Sequence, residues 1–568
     1  MRILDKIKLP DDLKSLDIQD LNALSDDLRE VITKYTLENG GHLSSNLGVV
    51  DLTCALNYVF DFPKDKLIFD VGHQCYAYKI LSGRLNEFKT LRQKDGLSGF
   101  PKREESVYDT VNSGHASTAL SIACGMARGG ENGQIICLIG DGAMTGGLFY
   151  EALNDVLTLD KKVIIIINDN NKSISDNVGF VNDYLKIVRK YGNEIDCLNI
   201  ETLNNIDGHN ISDLIGKLKY AKKSEKSIIL HVVTQKGKGV ACAEDNPSKF
   251  HSVGKSGTLP TYGQIFGESI VELAENNKDI YTITAAMAEG TGLSEFSKRY
   301  PDRFVDVGIA EEHAVTMSAG LAISGKKPYV AIYSTFLQRA YDNVLHDICL
   351  NKLPVVICID RAGFVGGDGE THQGLYDVAY LGSIPNINIF APKDGKELKS
   401  VLNWSQSFDM PLAIRYPKSE ISNEFDIASP ISYGKWEYII NNNNKNILIS
   451  NGEILSNAIR AAHLLKQQGV DIDVINARFI KPIDEEMLLS IKDNKNIFIF
   501  EEYIANGSIY MQSLECLNKI PHTSKIFGVN VENKTYAVAS RNELIQAAGL
   551  DVDSIYKYVL SKINDYET

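Results

Sequence analysis

The stretch "LIGDGAMTGG", Leu138 to Gly147, sets one carboxylate, Asp141, between two glycines directly after the apolar run "IICLI". Asn170 lies 29 positions later (170 − 141), where a second apolar run ends in "VIIIINDNNKSIS". A dinucleotide-binding turn requires G-x-G-x-x-G, whereas here Gly140 and Gly142 are followed by Gly146 and Gly147. An acid inside such a turn would also repel the pyrophosphate that the turn should cradle. Asp141 makes chemical sense if a cation stands between it and a diphosphate. The carboxylate neutralises the metal, the metal neutralises the phosphates, and the glycines let backbone N–H groups approach. A hard octahedral cation such as Mg²⁺ needs further oxygen ligands, and the amide cluster around Asn170 supplies them. An isolated Asn after a strand is ordinarily a turn residue; G-D-G and N-D-N-N across one crossover are more specific together than apart.

Other residues have types suited to proton transfer and anion binding. Glu311, in "DVGIAEEHAVTMSAGLA", follows an apolar run and opens a small-residue helix. Alone it reads as a helix-start acid complementing the macrodipole; buried in an apolar pocket it would keep its proton to higher pH. His42 in "GGHLSSN", His73 in "DVGHQC", His115 in "SGHAS" and His372 in "GGDGETHQG", near Asp368, carry imidazoles, the side chain whose ordinary titration range spans neutral pH. Arg361 in "IDRAG" and Arg415 in "AIRYP" both follow apolar runs, where guanidinium forks would bind a phosphate dianion or close salt bridges.

These residues need a scaffold that ends several strands on one edge. Apolar runs of strand length alternate with amphipathic segments, as in "QIICLI", "GGLFYEALNDVL" and "KVIIIIN", the pattern of parallel strands covered on both faces. The pattern occurs in three blocks, so the expected fold class is α/β, with three doubly wound parallel-sheet domains at 1–257, 258–430 and 431–568. No sequence-level repeat relates them, and the tract "NNNNK", Asn441 to Lys445, reads as a surface loop. A chain of 568 residues with 44% hydrophobic content is ample for several cores. A net charge of −14 argues against a nucleic-acid partner. No apolar stretch approaches the roughly 20 residues that span a bilayer, and no secretory signal is visible at the amino terminus. The nine scattered cysteines lack a C-x-x-C pair, which argues against a zinc site or disulfide framework and fits a reducing, cytoplasmic setting.

The G-D-G and N-D-N-N pair resembles the diphosphate-and-metal motif of thiamine-diphosphate enzymes. The resemblance implies Mg²⁺ held by Asp141, the Asn170 side chain and the backbone carbonyl of Lys172. Gly142, Ala143, His73 and, more weakly, His115 would lie along the cofactor, with Ile174 beneath it. The string "GIAEEHAV" then makes Glu311 the acid that hydrogen-bonds the aminopyrimidine ring, and Phe336 in "YSTFLQRAYD" the aromatic stacked on that ring. The strings "GGHLSSNLGVVDLTCAL", "IFDVGHQCYAYKILSGR", "SGHASTALS", "AIYSTFLQRAYDNVLHD" and "DRAGFVGGDGETHQGLYD" are similar to the 1-deoxy-D-xylulose-5-phosphate synthase family, along nearly the whole chain. That family joins pyruvate to D-glyceraldehyde 3-phosphate with loss of CO₂, supplying isoprenoid, thiamine and pyridoxal biosynthesis. Each carbonyl addition creates an alkoxide that needs a proton, a task the resemblance gives to His42 and His372, with Asp368 beside the latter. Tyr333, Arg339, Arg361 and Arg415 match positions for the aldehyde's phosphate, and Lys236 and His251 match positions near the cofactor. A homodimer is implied, each site lying between the first two domains of one chain.

The chain departs from the family pattern in four places. It is shorter between "SISDNVGF" and "NIDGHN", where the family carries a segment over the active-site entrance. Lys172 replaces a usual Met, Ala288 stands where Arg is typical, and "ANGS" at Ala505 to Ser508 replaces a glycine-rich "GGxGS". Two alternatives stay open: a transketolase-like enzyme with a ketose-phosphate donor, and a cofactor-binding paralogue without turnover.

Overall fold

The computed structural model describes residues 2–172, 177–191, 200–251, 253–254, 259–421 and 430–564. The chain divides into two compact units. One holds the described residues up to 254 with Val307–Ala310 and Gly367–Thr371; the other holds the remainder.

The first unit is built on five strands, Lys66–Phe69 (β1), Ile135–Gly140 (β2), Ile164–Asp169 (β3), Glu201–Asp207 (β4) and Ile228–Val233 (β5), in the order β1-β2-β3-β5-β4. Every pairing is parallel. Side chains alternate across a strand. Ile136 and Leu138 of β2 therefore enter one buried cluster, with Leu24 and Leu28 of the helix Ile18–Asn39 and Leu214 and Leu218 of the helix Ile211–Lys223. Cys137 and Ile139 enter another, with Leu120 of the helix Ala119–Arg128 and Phe149 and Leu153 of the helix Gly147–Val156. Two covered faces explain the unbroken apolar runs, and each buried large apolar side chain contributes about 1.5–3 kcal/mol.

The second unit carries two sheets. The strands Ile280–Thr284 (β6), Phe304–Asp306 (β7), Lys327–Tyr333 (β8), Val356–Asp360 (β9), Asn388–Phe390 (β10) and Leu412–Arg415 (β11) pair in parallel. The other sheet holds Glu437–Ile440 (β12), Asn446–Ser450 (β13), Asp473–Asn476 (β14), Asn496–Ile504 (β16) and Lys525–Val531 (β17), in the order β12-β14-β13-β16-β17. The short strand Phe479–Lys481 (β15) leaves that segment to pair with β10. Both β15 and β12 run antiparallel to their neighbours, so two edge strands join otherwise parallel sheets. An edge strand pairs on one side only and needs no helical crossover, so either direction satisfies its ladder. Among the described residues no helix is long and apolar enough to cross a membrane.

Candidate active site

In the first unit the register sets Gly140 of β2 opposite Asn168 of β3, so both chains leave the sheet at one level. That is the carboxyl edge where ligands bind in open α/β sheets. Asp141 opens a short turn, Asp141–Thr145, before the helix Gly147–Val156. Its Oδ1 accepts the Gly142 N–H at 3.1 Å, while its buried Oδ2 has no hydrogen-bond partner among the described residues. Burial first, then the nearby Asp169 carboxylate, pushes its carboxyl up to about 7, against the opposing charge of Lys236. An orphaned buried oxygen is what a cation would satisfy.

The turn is fixed from both sides. Ser117 Oγ donates to the Ala143 carbonyl at 2.7 Å, and Thr145 Oγ1 donates to the Gly142 carbonyl at 2.7 Å while accepting the Ile309 N–H at 2.8 Å. A Cβ at Gly146 would lie 2.4 Å from Ser117 Oγ, so that position requires glycine. At the end of β3, Asn170 Oδ1 accepts the Lys172 N–H at 3.1 Å. Asp169 accepts the Asn171 N–H at 3.1 Å and His231 Nε2–H at 2.9 Å, and Arg189 bridges Asp169 to the Asn171 side chain. Arg189 lies on the helix Gly179–Tyr191, which occupies part of the shortened segment. No group of three His, Cys, Asp or Glu side chains able to hold a metal occurs among the described residues. With Asp169 held by His231 and Arg189, the donors at this edge are instead the Asp141 carboxylate with amide and carbonyl oxygens, a set that fits a hard cation. Ile174 lies outside the described residues.

His42, His73 and His251 form a triangle, with ring centroids 5.4–5.6 Å apart. Asn46 fixes two corners: its buried amide donates to the carbonyls of His42 at 2.6 Å and His73 at 2.7 Å, and its Oδ1 accepts the Tyr76 N–H. His251 Nδ1 lies 3.2 Å from Ser45 Oγ, and Val253 pairs with Gly41 through two backbone hydrogen bonds. Burial, then the Lys236 ammonium, lowers His73 to about 3 and holds His251 well below the usual imidazole range. Lys236 itself falls to about 8, chiefly through burial. His115 Nε2 lies 3.0 Å from the Thr371 carbonyl, and Asp368 accepts from Arg92 Nη2 at 2.6 Å.

In the second unit Glu311 is the first residue of the helix Glu311–Ile323 and is 2% exposed. Burial pushes its carboxyl up to about 7, with Arg339 opposing. Phe336 stacks on Tyr333 at 5.7 Å and meets His372 edge-on at 5.4 Å. The Arg361 guanidinium lies 3.8 Å above the Tyr333 ring, and its Nη1 donates to the Gly290 carbonyl and Asp360 at 2.6 and 2.7 Å. Tyr333, Phe336, Arg361 and His372 are thus brought together. Arg415 is 6% exposed and donates through Nε and Nη2 to buried Asp377, at 3.0 and 3.2 Å. Ala288 accepts the Leu293 N–H at 2.7 Å through its carbonyl, and Ser508 caps the helix Ile509–Leu517.

Reasoning from sequence missed Asn46, Arg92 and Tyr76. Asn46 carried one signal, its position four residues after His42 on a short helix, Leu43–Gly48. Arg92 carried none, because its partner lies 276 positions away.

The family 1-deoxy-D-xylulose-5-phosphate synthase matches residues 4–195. The pyrimidine binding domain of transketolase matches 259–423, and the transketolase C-terminal domain matches 434–555. The 1-deoxy-D-xylulose-5-phosphate synthase of Clostridium acetobutylicum is 43% identical over 98% of this chain and 99% of its own length. That of Clostridium perfringens is 44% identical over 97% and 98%. The first alignment runs to 615 positions against 568 residues here, so at least 47 positions (615 − 568) have no counterpart in this chain. Among solved structures, the transketolase of Campylobacter jejuni is 18% identical with a TM-score of 0.48, over 96% of this chain and all of that one. With matches to the synthases running essentially end to end, this chain belongs to the 1-deoxy-D-xylulose-5-phosphate synthase family.

Proposed function

We infer that the chain is a transferase that condenses pyruvate with D-glyceraldehyde 3-phosphate, releasing CO₂ and giving 1-deoxy-D-xylulose 5-phosphate for isoprenoid synthesis. One observation carries this reading: the match to the synthases spans nearly the whole chain, including the segments that hold Asp141 and Glu311. The cofactor implied is thiamine diphosphate. When bound, it supplies the carbon nucleophile and the electron sink that decarboxylation needs.

Asp141, the Asn170 amide and the Lys172 carbonyl would hold Mg²⁺ against the diphosphate, and the Oδ2 of Asp141, without a hydrogen bond among the described residues, supports this role. Gly142, Ala143, His73, His115, Ile174 and Lys236 line the cofactor. With His73 held near 3, its ring accepts or donates hydrogen bonds as a neutral imidazole. Glu311 keeps a proton below about 7 and shares it with the aminopyrimidine ring nitrogen, on which Phe336 stacks. His42 and His372 deliver and remove protons at the reacting carbonyl oxygens, with Asp368 supporting His372. Arg361, Tyr333, Arg339 and Arg415 bind the aldehyde's phosphate; the Arg361 guanidinium over Tyr333 supports its part in this, whereas Arg415 is held in a bidentate pair with Asp377. A cytoplasmic homodimer, with thiamine and pyridoxal as further destinations of the product, completes the reading.

The test is CO₂ release from pyruvate with and without the aldehyde. Aldehyde-dependent release and 1-deoxyxylulose 5-phosphate are expected. Product from xylulose 5-phosphate with ribose 5-phosphate, and none from the pyruvate pair, would overturn the reading in favour of transketolase-like chemistry.

A further inference from the structure

The sheet β12-β14-β13-β16-β17 carries none of the residues assigned to chemistry, yet it grips the segment that does. Gly363 and Gly374 face each other in an antiparallel bridge, exchanging backbone hydrogen bonds of 2.7 and 2.8 Å. The residues between them run from Phe364 to Gln373 and include His372, so this bridge closes the base of a loop. Next to it, Val365 N–H donates to Gln373 Oε1 at 2.9 Å. Phe364 and Leu375, on either side of the bridge, are fully buried among Leu448, Phe498 and Phe500 of the C-terminal sheet, and Phe364 meets Tyr536 edge-on at 5.0 Å.

Two polar groups reach this base from β16: the Ile504 N–H, which donates to the Leu375 carbonyl at 3.3 Å, and the side chain of Glu502. Glu502 is 7% exposed, and its Oε1 accepts the Phe364 N–H at 2.9 Å. Its Oε2 accepts from Arg541 Nη2 at 2.7 Å, and the same nitrogen lies 2.8 Å from Glu453 Oε2, which in turn accepts from Ser419 Oγ at 2.8 Å. The carboxylate is therefore oriented before it meets the loop. The loop backbone is shaped to receive it: Gly363 has φ +79°, and a Cβ there would stand 2.5 Å from Glu502 Cδ. Gly366, at φ +72°, passes close enough to Arg541 that a Cβ would lie 3.2 Å from its backbone nitrogen. Two glycines in the left-handed region, each at a close approach to the same ion pair, tie the geometry of the loop to the C-terminal block.

We propose that Glu502, oriented by Arg541, is a positioning residue that anchors the loop bearing His372 through the Phe364 N–H. The proposal rests on the reading of His372 as a proton-transfer group. A hydrogen bond to a charged acceptor is worth roughly one to two powers of ten in an equilibrium constant. Its loss should therefore let the base of the loop open about ten times more often.

The test uses the full-length chain with Glu502→Ala, Glu502→Gln and Arg541→Met. Amide exchange of peptides covering 363–374 reads the anchor directly, and exchange of β16 and β13 peptides reads the integrity of the C-terminal sheet. Glu502→Ala should speed exchange at Phe364 and Val365 about tenfold with β13 unchanged. It should also lower kcat/KM for the aldehyde by about tenfold, with cofactor affinity within twofold of wild type. Glu502→Gln keeps an acceptor for the Phe364 N–H and should recover most of both losses, while Arg541→Met should fall between. Unchanged exchange at 363–374 in Glu502→Ala, equal loss in Glu502→Gln, or loosening spread through β13 and β16 would each overturn the proposal. Failure of the wild-type chain to make product from pyruvate and the aldehyde would count against the functional reading, while the exchange measurements would still decide the anchor.

Discussion

Nη1 of Arg339 stands 3.7 Å from Oε2 of Glu311, a carboxylate oxygen with no hydrogen bond among the described residues. The guanidinium tempers burial without overcoming it, and the carboxyl stays near 7 instead of 4.5. The folded chain thus holds a proton that the unfolded chain releases between those values. Stability from the neutral carboxyl is full below about 4.5 and is lost as pH rises through about 7. Glu311→Gln keeps a neutral group at every pH. In the cofactor-free protein its stability relative to wild type should grow between pH 5 and 8, by on the order of 3 kcal/mol. Unfolding followed across that range measures it, and a pH-independent difference would refute the buried-acid reading. Glu311→Ala should abolish turnover while largely sparing Mg²⁺-diphosphate binding.

Asp141 presents the same physics with a different remedy. Stability from its neutral carboxyl, buried beside Asp169, is full below about 3.8 and is lost as pH rises through about 7, where the metal-free fold encloses a charge that Lys236 only partly offsets. Asp141→Asn should raise the melting temperature of the metal-free protein at pH 8 by a few degrees, since each 1 kcal/mol is worth about 2–4 °C in a domain of this size. The stabilisation that Mg²⁺ with thiamine diphosphate gives the wild type should disappear. Melting curves with and without the pair measure both effects, and an unaltered ligand-induced shift would remove Asp141 from the metal site.

Asn46 ties the His42 and His73 backbones through one side chain. Asn46→Leu leaves two carbonyls without their donor, at about 1–3 kcal/mol for each buried group. The expected outcome is a drop of about 2–4 kcal/mol in unfolding free energy and a fall in kcat of at least tenfold. Full turnover in a destabilised variant would show that the imidazole triangle needs no such clamp.

Arg361 and Arg415 share a motif-level assignment but not an environment. Arg361 rests on Tyr333, and its substitution by Ala should raise KM for D-glyceraldehyde 3-phosphate about tenfold or more, with KM for pyruvate little changed. Arg415→Ala strands the fully buried Asp377 carboxylate and should destabilise the fold by about 3–5 kcal/mol. Steady-state kinetics beside thermal melts separates the two. Equal kinetic losses with no change in melting would mean that the Asp377 pair is dispensable.

What the sequence determined by itself was whatever short range and composition encode. Unbroken apolar runs stated that sheets would be covered on both faces, because a side chain pointing either way must leave water. Asp141 between glycines and Asn170 after the next run could be linked because adjacent parallel strands end on one edge, here through the Gly140–Asn168 register. Glu311 at a helix start was legible from its neighbours, though its raised pKa was not, since that depends on every group packed around it. Tertiary structure alone decided the rest. It joined Arg92 to Asp368 and Glu502 to the Phe364 N–H, across 276 and 138 positions. It also spent Arg415 on Asp377, and turned β15 antiparallel onto a sheet begun some 200 residues earlier (479 − 280 = 199). Such choices rest on packing and on satisfying buried polar groups, which no local spacing records.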